Sequence, residues 1–149
     1  MMLLKSKHGF TLLEAIASVA IITLVFTTAL VTITAMRNQT IATENKRMAV
    51  EIASSIRDDM IQSLTFDTLA LWIGSTEKTI GITSCNQIGS PVGCSTFEVL
   101  STNQIQSDDI TIIFYVPTPE ETTHKIIRFS ISVVYYKTRI TTIEGVIYA

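Results

Sequence analysis

Between Phe10 and Leu64 the chain has neither proline nor glycine, and between Phe10 and Met36 it has a single charged side chain, Glu14. The first absence removes the two strongest helix breakers. It predicts one helix of about 54 residues, about 80 Å long at 1.5 Å rise per residue. Histidine is scarce, with only His8 and His124. A Ser-His-Asp or Cys-His mechanism would rest on His124, and nothing near it in sequence suggests a nucleophile oriented by a third group. No catalytic residue, cofactor or metal ligand is therefore expected. Clustered positive charge is also missing: 11 Lys and Arg against 13 Asp and Glu leave a net charge of −2, which becomes −4 once Lys5 and Lys7 are set aside. Phosphate binding needs clustered cations, so no nucleic-acid partner is predicted, and Lys46 with Arg47 reads as a solvated helix face.

The acidic pairs Asp58-Asp59, Asp108-Asp109 and Glu120-Glu121 lack the spacing of a calcium loop and read as surface. Trp72, Tyr115, Tyr135, Tyr136 and Tyr148 are not interleaved with Lys and Arg, so core packing and cross-strand pairing account for them better than stacking on bases. There are two cysteines, Cys85 and Cys94, with eight residues between them, including Gly89, Pro91 and Gly93. A disulfide closing so short a loop adds about 2 to 3 kcal/mol. Two free thiols are the alternative in a reducing habitat.

What is present is an almost unbroken apolar run from Ala15 to Met36, directly after Lys7-His-Gly-Phe-Thr-Leu-Leu-Glu14. The run is long enough to span a bilayer, which takes about 20 predominantly apolar residues. Lys5 and Lys7 precede it, and basic flanks stay on the cytoplasmic side; the C-terminal part is expected outside the membrane. A secretory signal has a shorter apolar region and a small-residue cleavage site after it, whereas Thr34-Ala35-Met36-Arg37 continues into helix-forming sequence. A plain signal anchor fits the hydropathy but leaves Gly9 and Glu14 unexplained. A carboxylate at mid-bilayer costs about 2.5 to 3.5 kcal/mol on insertion scales and marks a functional candidate. If the chain is cut after Gly9, the new amine of Phe10 can pair with Glu14 of the same or a neighbouring subunit.

Basic leader, Gly-Phe, Thr-Leu-Leu-Glu and apolar span, in that order over residues 5–36, resemble the class III signal of type IV pilins and type II secretion pseudopilins. The resemblance implies that prepilin peptidase cuts after Gly9 and methylates Phe10, and that Glu14 is the family's assembly glutamate. It implies a leader at residues 1–9, a transmembrane and assembly helix at 10–36, and an extracytoplasmic domain at 37–149. The implied partners are prepilin peptidase, other pilin or pseudopilin subunits, an assembly platform in the membrane, and the bilayer before assembly. Many members carry a proline where this chain has Val31, so local melting of the helix is not implied here.

Past the apolar run, Ile41, Met48, Ile52, Ile56, Met60 and Leu64 recur at spacings of seven or four, flanked by Ala49 and Ala53, and predict an apolar helix face. Residues 65–80 fit either a helical turn or a short strand, and 81–96 read as a loop. Strands are predicted at Phe97–Leu100, Ile110–Val116, Lys125–Tyr136 and Ile140–Tyr148. In the third, Ile127, Phe129, Ile131, Val133 and Tyr135 alternate onto one face. Pro117 to Thr122 connects the second and third strands, and Lys137-Thr-Arg forms a tight turn before the fourth. The expected fold class is α+β and pilin-like, a long helix packed on an antiparallel sheet.

Mid-chain cysteines and the segment Met48 to Met60 resemble minor pilins and minor pseudopilins of an initiating tip complex. The tip-most minor pseudopilin typically lacks the glutamate that Glu14 matches, so a place beneath the cap is expected. Pilus, secretion and competence systems share this signal and are not separated by it. A tip subunit with an adhesive or DNA-uptake role, and a membrane-tethered enzyme using His124, are the competing classes.

Overall fold

A computed structural model describes residues 11–86, 89–98 and 105–148 of the 149-residue chain. Helix α1 runs over Leu12–Ser63, 52 residues without a break, as the absence of glycine and proline predicts. Helix α2, Phe66–Ile73, follows after Leu64-Thr65 and stops at Gly74, whose φ of 61° is left-handed and whose N–H donates to the Ala70 carbonyl. That conformation suits a residue without Cβ. Strand β1 is Lys78–Gly81, α3 is the helical turn Ser95–Glu98, a 3-10 turn covers Ser107–Asp109, and β2 is Ile110–Phe114. Helix α4, Pro119–Thr123, precedes β3, Ile126–Tyr135, and β4, Arg139–Tyr148.

The four strands form one antiparallel sheet in the order β1-β2-β3-β4. The fold is thus the expected α+β arrangement. By contacts the chain divides into two compact units, Met1–Ile41 and Ala42–Ala149. In the second unit, the α1 positions Ala49, Ile52, Ala53, Ile56 and Met60 are buried in one cluster with Ile110, Ile112 and Phe114 of β2 and Ile127, Phe129, Ile131 and Val133 of β3. The helical spacing of four and the strand spacing of two place both sets on one side of their elements. Each fully buried Ile or Phe contributes about 1.5 to 3 kcal/mol, so this interface carries the unit's stability. Trp72 of α2 meets Phe114 edge-on, with centroids 5.8 Å apart.

Three readings of the sequence are corrected. Phe97 and Glu98 are helical rather than the start of a strand, because Thr96 N and Phe97 N donate back to the carbonyls of Gly93 and Cys94. Val99 and Leu100, the rest of that expected strand, lie outside the described residues. The remaining strand of the sheet is instead β1, which begins in the 65–80 stretch that also holds α2 and takes Gly81 from the expected loop. Strand β2 ends at Phe114, two residues before Val116, although Tyr115 N still donates to Arg128 O. The tight turn after β3 is present: Lys137 and Thr138 both have positive φ, and Arg139 N donates to Tyr136 O.

Candidate assembly site and the elements around it

Glu14 sits in the first turn of α1. Thr11, one residue before the helix, accepts the Glu14 N–H on its hydroxyl at 3.3 Å, and its carbonyl accepts the N–H groups of Glu14 and Ala15. Thr11 is therefore an N-cap and Glu14 stands three residues on, the spacing of a capping box. A carboxylate there also lies at the positive end of the helix dipole. The sequence reading missed Thr11; the signal was available as Thr11-Leu-Leu-Glu14. Gly9 and Phe10 lie outside the described residues.

From Glu14 onward, α1 is long and apolar enough to cross a membrane, by length and composition. Leu12, Ile16, Val19, Ile22, Phe26, Leu30 and Ile33 are each more than half exposed. The hydroxyls in this stretch are directed inward to the helix. Ser18 donates to Glu14 O at 2.7 Å, and Thr23, Thr27, Thr28, Thr32, Thr34 and Thr40 each donate to a carbonyl four residues earlier.

Cys85 and Cys94 are joined by a disulfide, with Cα atoms 5.1 Å apart. Of the two alternatives left by their spacing, the structure has the bridge. It closes the loop that carries Gly89 and Val92, and Val92 is buried in the core.

The acidic pairs have local structural work. Asp109 Oδ2 accepts from Gln106 N at 2.9 Å and caps the 3-10 turn before β2. Glu121 closes a capping box with Thr118, accepting from Thr118 N at 2.8 Å while Thr118 Oγ1 accepts from Glu121 N. It also pairs with Arg128 of β3. The Thr118 N–H first, then the Thr118 hydroxyl and Arg128, hold the Glu121 carboxyl below its ordinary pKa. His124 is exposed and ends α4 as its C-cap. Among the described residues, no three His, Cys, Asp or Glu side chains are grouped to hold a metal ion.

Residues 4–30, which span the Gly9-Phe10 junction, the Thr11 cap and Glu14, match the family model described as the prokaryotic N-terminal methylation motif. This N-terminus is of the prepilin type. The match supports the type IV pilin and pseudopilin family, and the prepilin motif implies processing by prepilin peptidase and assembly with other pilins. It also fits, with the apolar helix, a membrane-anchored pilin. No curated protein and no solved structure matches the chain.

Proposed function

We propose that this prepilin-type chain is a minor pilin-like structural subunit of a type IV pilus or related filament, placed in the initiating complex beneath its tip. Prepilin peptidase cuts after Gly9 and methylates Phe10. Residues 1–9 are the leader, residues 10–36 hold the subunit in the membrane and later pack among sister helices, and residues 37–149 form the extracytoplasmic domain. The N-terminus is cytoplasmic before processing, and the assembled subunit is at the cell surface. The chain performs no catalysis of its own.

The observation that carries this reading is the solitary carboxylate of Glu14 in the first turn of α1, where the Thr11 cap holds the Glu14 backbone and no other charge follows before Arg37. A charge there is costly in lipid and is relieved by a new amine at Phe10, on its own or a neighbouring chain. Close helix packing is helped by the small side chains Ala15, Ala17, Ser18 and Ala20. N-terminal sequencing of the protein from membranes tests the proposal: methyl-Phe10 as first residue supports it, and a retained leader refutes it.

A further inference from the structure

The two edges of the sheet are managed differently. At β1 the outward backbone of Gly81 is already used: Gly81 N donates to Ser84 Oγ at 2.9 Å, and Gly81 O accepts from Ser84 N at 3.0 Å. Strand β1 is also only four residues long and carries Lys78. Short length and lysine both discourage pairing. Strand β4 has neither device. It is ten residues long, keeps unbroken register with β3, and contains no lysine and no proline.

The register shows which groups of β4 are left over. Tyr115 N donates to Arg128 O, so even-numbered residues of β3 direct their backbone to β2, and odd-numbered ones direct theirs to β4. The odd residues of β4, Arg139 to Ile147, are their partners. The N–H and C=O groups of Ile140, Thr142, Glu144, Val146 and Tyr148 therefore point to the open edge, and among the described residues no backbone or side-chain hydrogen bond is made to them. All five side chains are exposed, with Ile140 at 62% and Tyr148 at 65%. A row of unpaired backbone groups is a template for one kind of ligand, another extended strand.

We propose that β4 is a strand-addition site for an extended segment of a different prepilin-type subunit, with apolar side chains beside Ile140, Val146 and Tyr148 and a cation beside Glu144. This rests on the filament reading above. Subunits drawn from one membrane by the same end share one polarity. Under that condition, antiparallel pairing of β4 with a second copy of this chain would have to use β1, where Ser84 already occupies Gly81 and leaves Thr79 as the one outward-facing residue of the strand. Pairing β4 with β4 antiparallel turns the two copies in opposite directions. A parallel β4–β4 pair is the self-association this leaves, and the test below counts it against the proposal; the neighbour proposed is another chain.

The test places a photo-activated benzoylphenylalanine at Thr142 or Glu144 of the full chain in its own cells, with Asp59 on α1 as a control position. Adducts from both β4 positions, absent at Asp59, whose partner is shown by mass spectrometry to carry a prepilin-type N-terminus and to differ from this chain, support the proposal. Val146→Pro removes an edge-facing N–H while leaving the β3–β4 ladder its donors, and Thr142→Lys adds an edge guard. Either should lower the Glu144 adduct at least about fivefold, the effect of losing one hydrogen bond, with the melting temperature checked alongside. Adducts only with a second copy, adducts insensitive to both substitutions, or none at all while Phe10 is found as the processed N-terminus, overturn the inference and leave the filament reading standing. A retained leader overturns the filament reading itself.

Discussion

The ring of Phe129 on β3 occupies the space that a side chain at its β4 partner, position 145, would need: a Cβ built on Gly145 falls 2.2 Å from Phe129 Cζ and 2.6 Å from Cε1. Phe129 is fully buried and neighbours Phe114 at 5.8 Å between centroids, so its ring cannot step aside freely. Gly145→Ala is expected to destabilise the protein by about 1 to 3 kcal/mol, the usual cost of overpacking, measured by urea unfolding. In a Phe129→Leu background the same substitution should cost less. An equal cost in both backgrounds would show that the contact is not the cause.

The bridge between Cys85 and Cys94 predicts that the double variant Cys85→Ser/Cys94→Ser loses about 2 to 3 kcal/mol. Alkylation of the native protein without reductant should add no mass. A mass gain of two labels under those conditions contradicts the bridge.

Glu14→Ala should leave membrane insertion and cleavage after Gly9 intact while impairing incorporation into filaments, read by comparing membrane and filament fractions. Loss of a carboxylate from an apolar helix favours insertion, so a defect confined to incorporation points to an assembly role. Thr11→Val, which removes the cap hydroxyl but keeps the volume, should fray the first turn and weaken incorporation in the same direction, by less.

For Glu121, the carboxyl titrates lower in the folded chain than in the unfolded one. Its contribution to stability is present above the ordinary carboxylate range and is lost as pH falls through the lowered folded value. Glu121→Gln should therefore lower stability at neutral pH, where that contribution is present, and flatten the acid limb below about pH 4.5, the two curves converging as the native carboxyl protonates. Thermal melts at a series of pH values decide this, and an unchanged acid limb contradicts it.

Much of this architecture was legible because two periodicities are strong. The spacing of four from Met48 to Met60 and the alternation from Ile127 to Tyr135 each match the buried faces, since both elements have only one side to hide. Phe97 reads as strand because Thr96, Phe97 and Val99 have strand propensity, while its own N–H donates to the Cys94 carbonyl and that of Thr96 to Gly93. Strand β1 was ambiguous because four residues are too few to show a period. Glu14 stood out as a lone charge, whereas Thr11 and Glu121 act through backbone donors a few residues away and carry no compositional contrast.

The threonines of the apolar stretch bear on how the subunit meets lipid. Since each hydroxyl from Thr23 to Thr34 is engaged with a carbonyl of its own backbone, what it turns outward is largely its methyl group. To surrounding acyl chains such a helix is greasier than a reading of its letters suggests. In the proposed filament, a neighbouring protomer would meet a single charged handle among residues 11–36, near the start of the helix, and that would restrict the depth at which two such helices come into register.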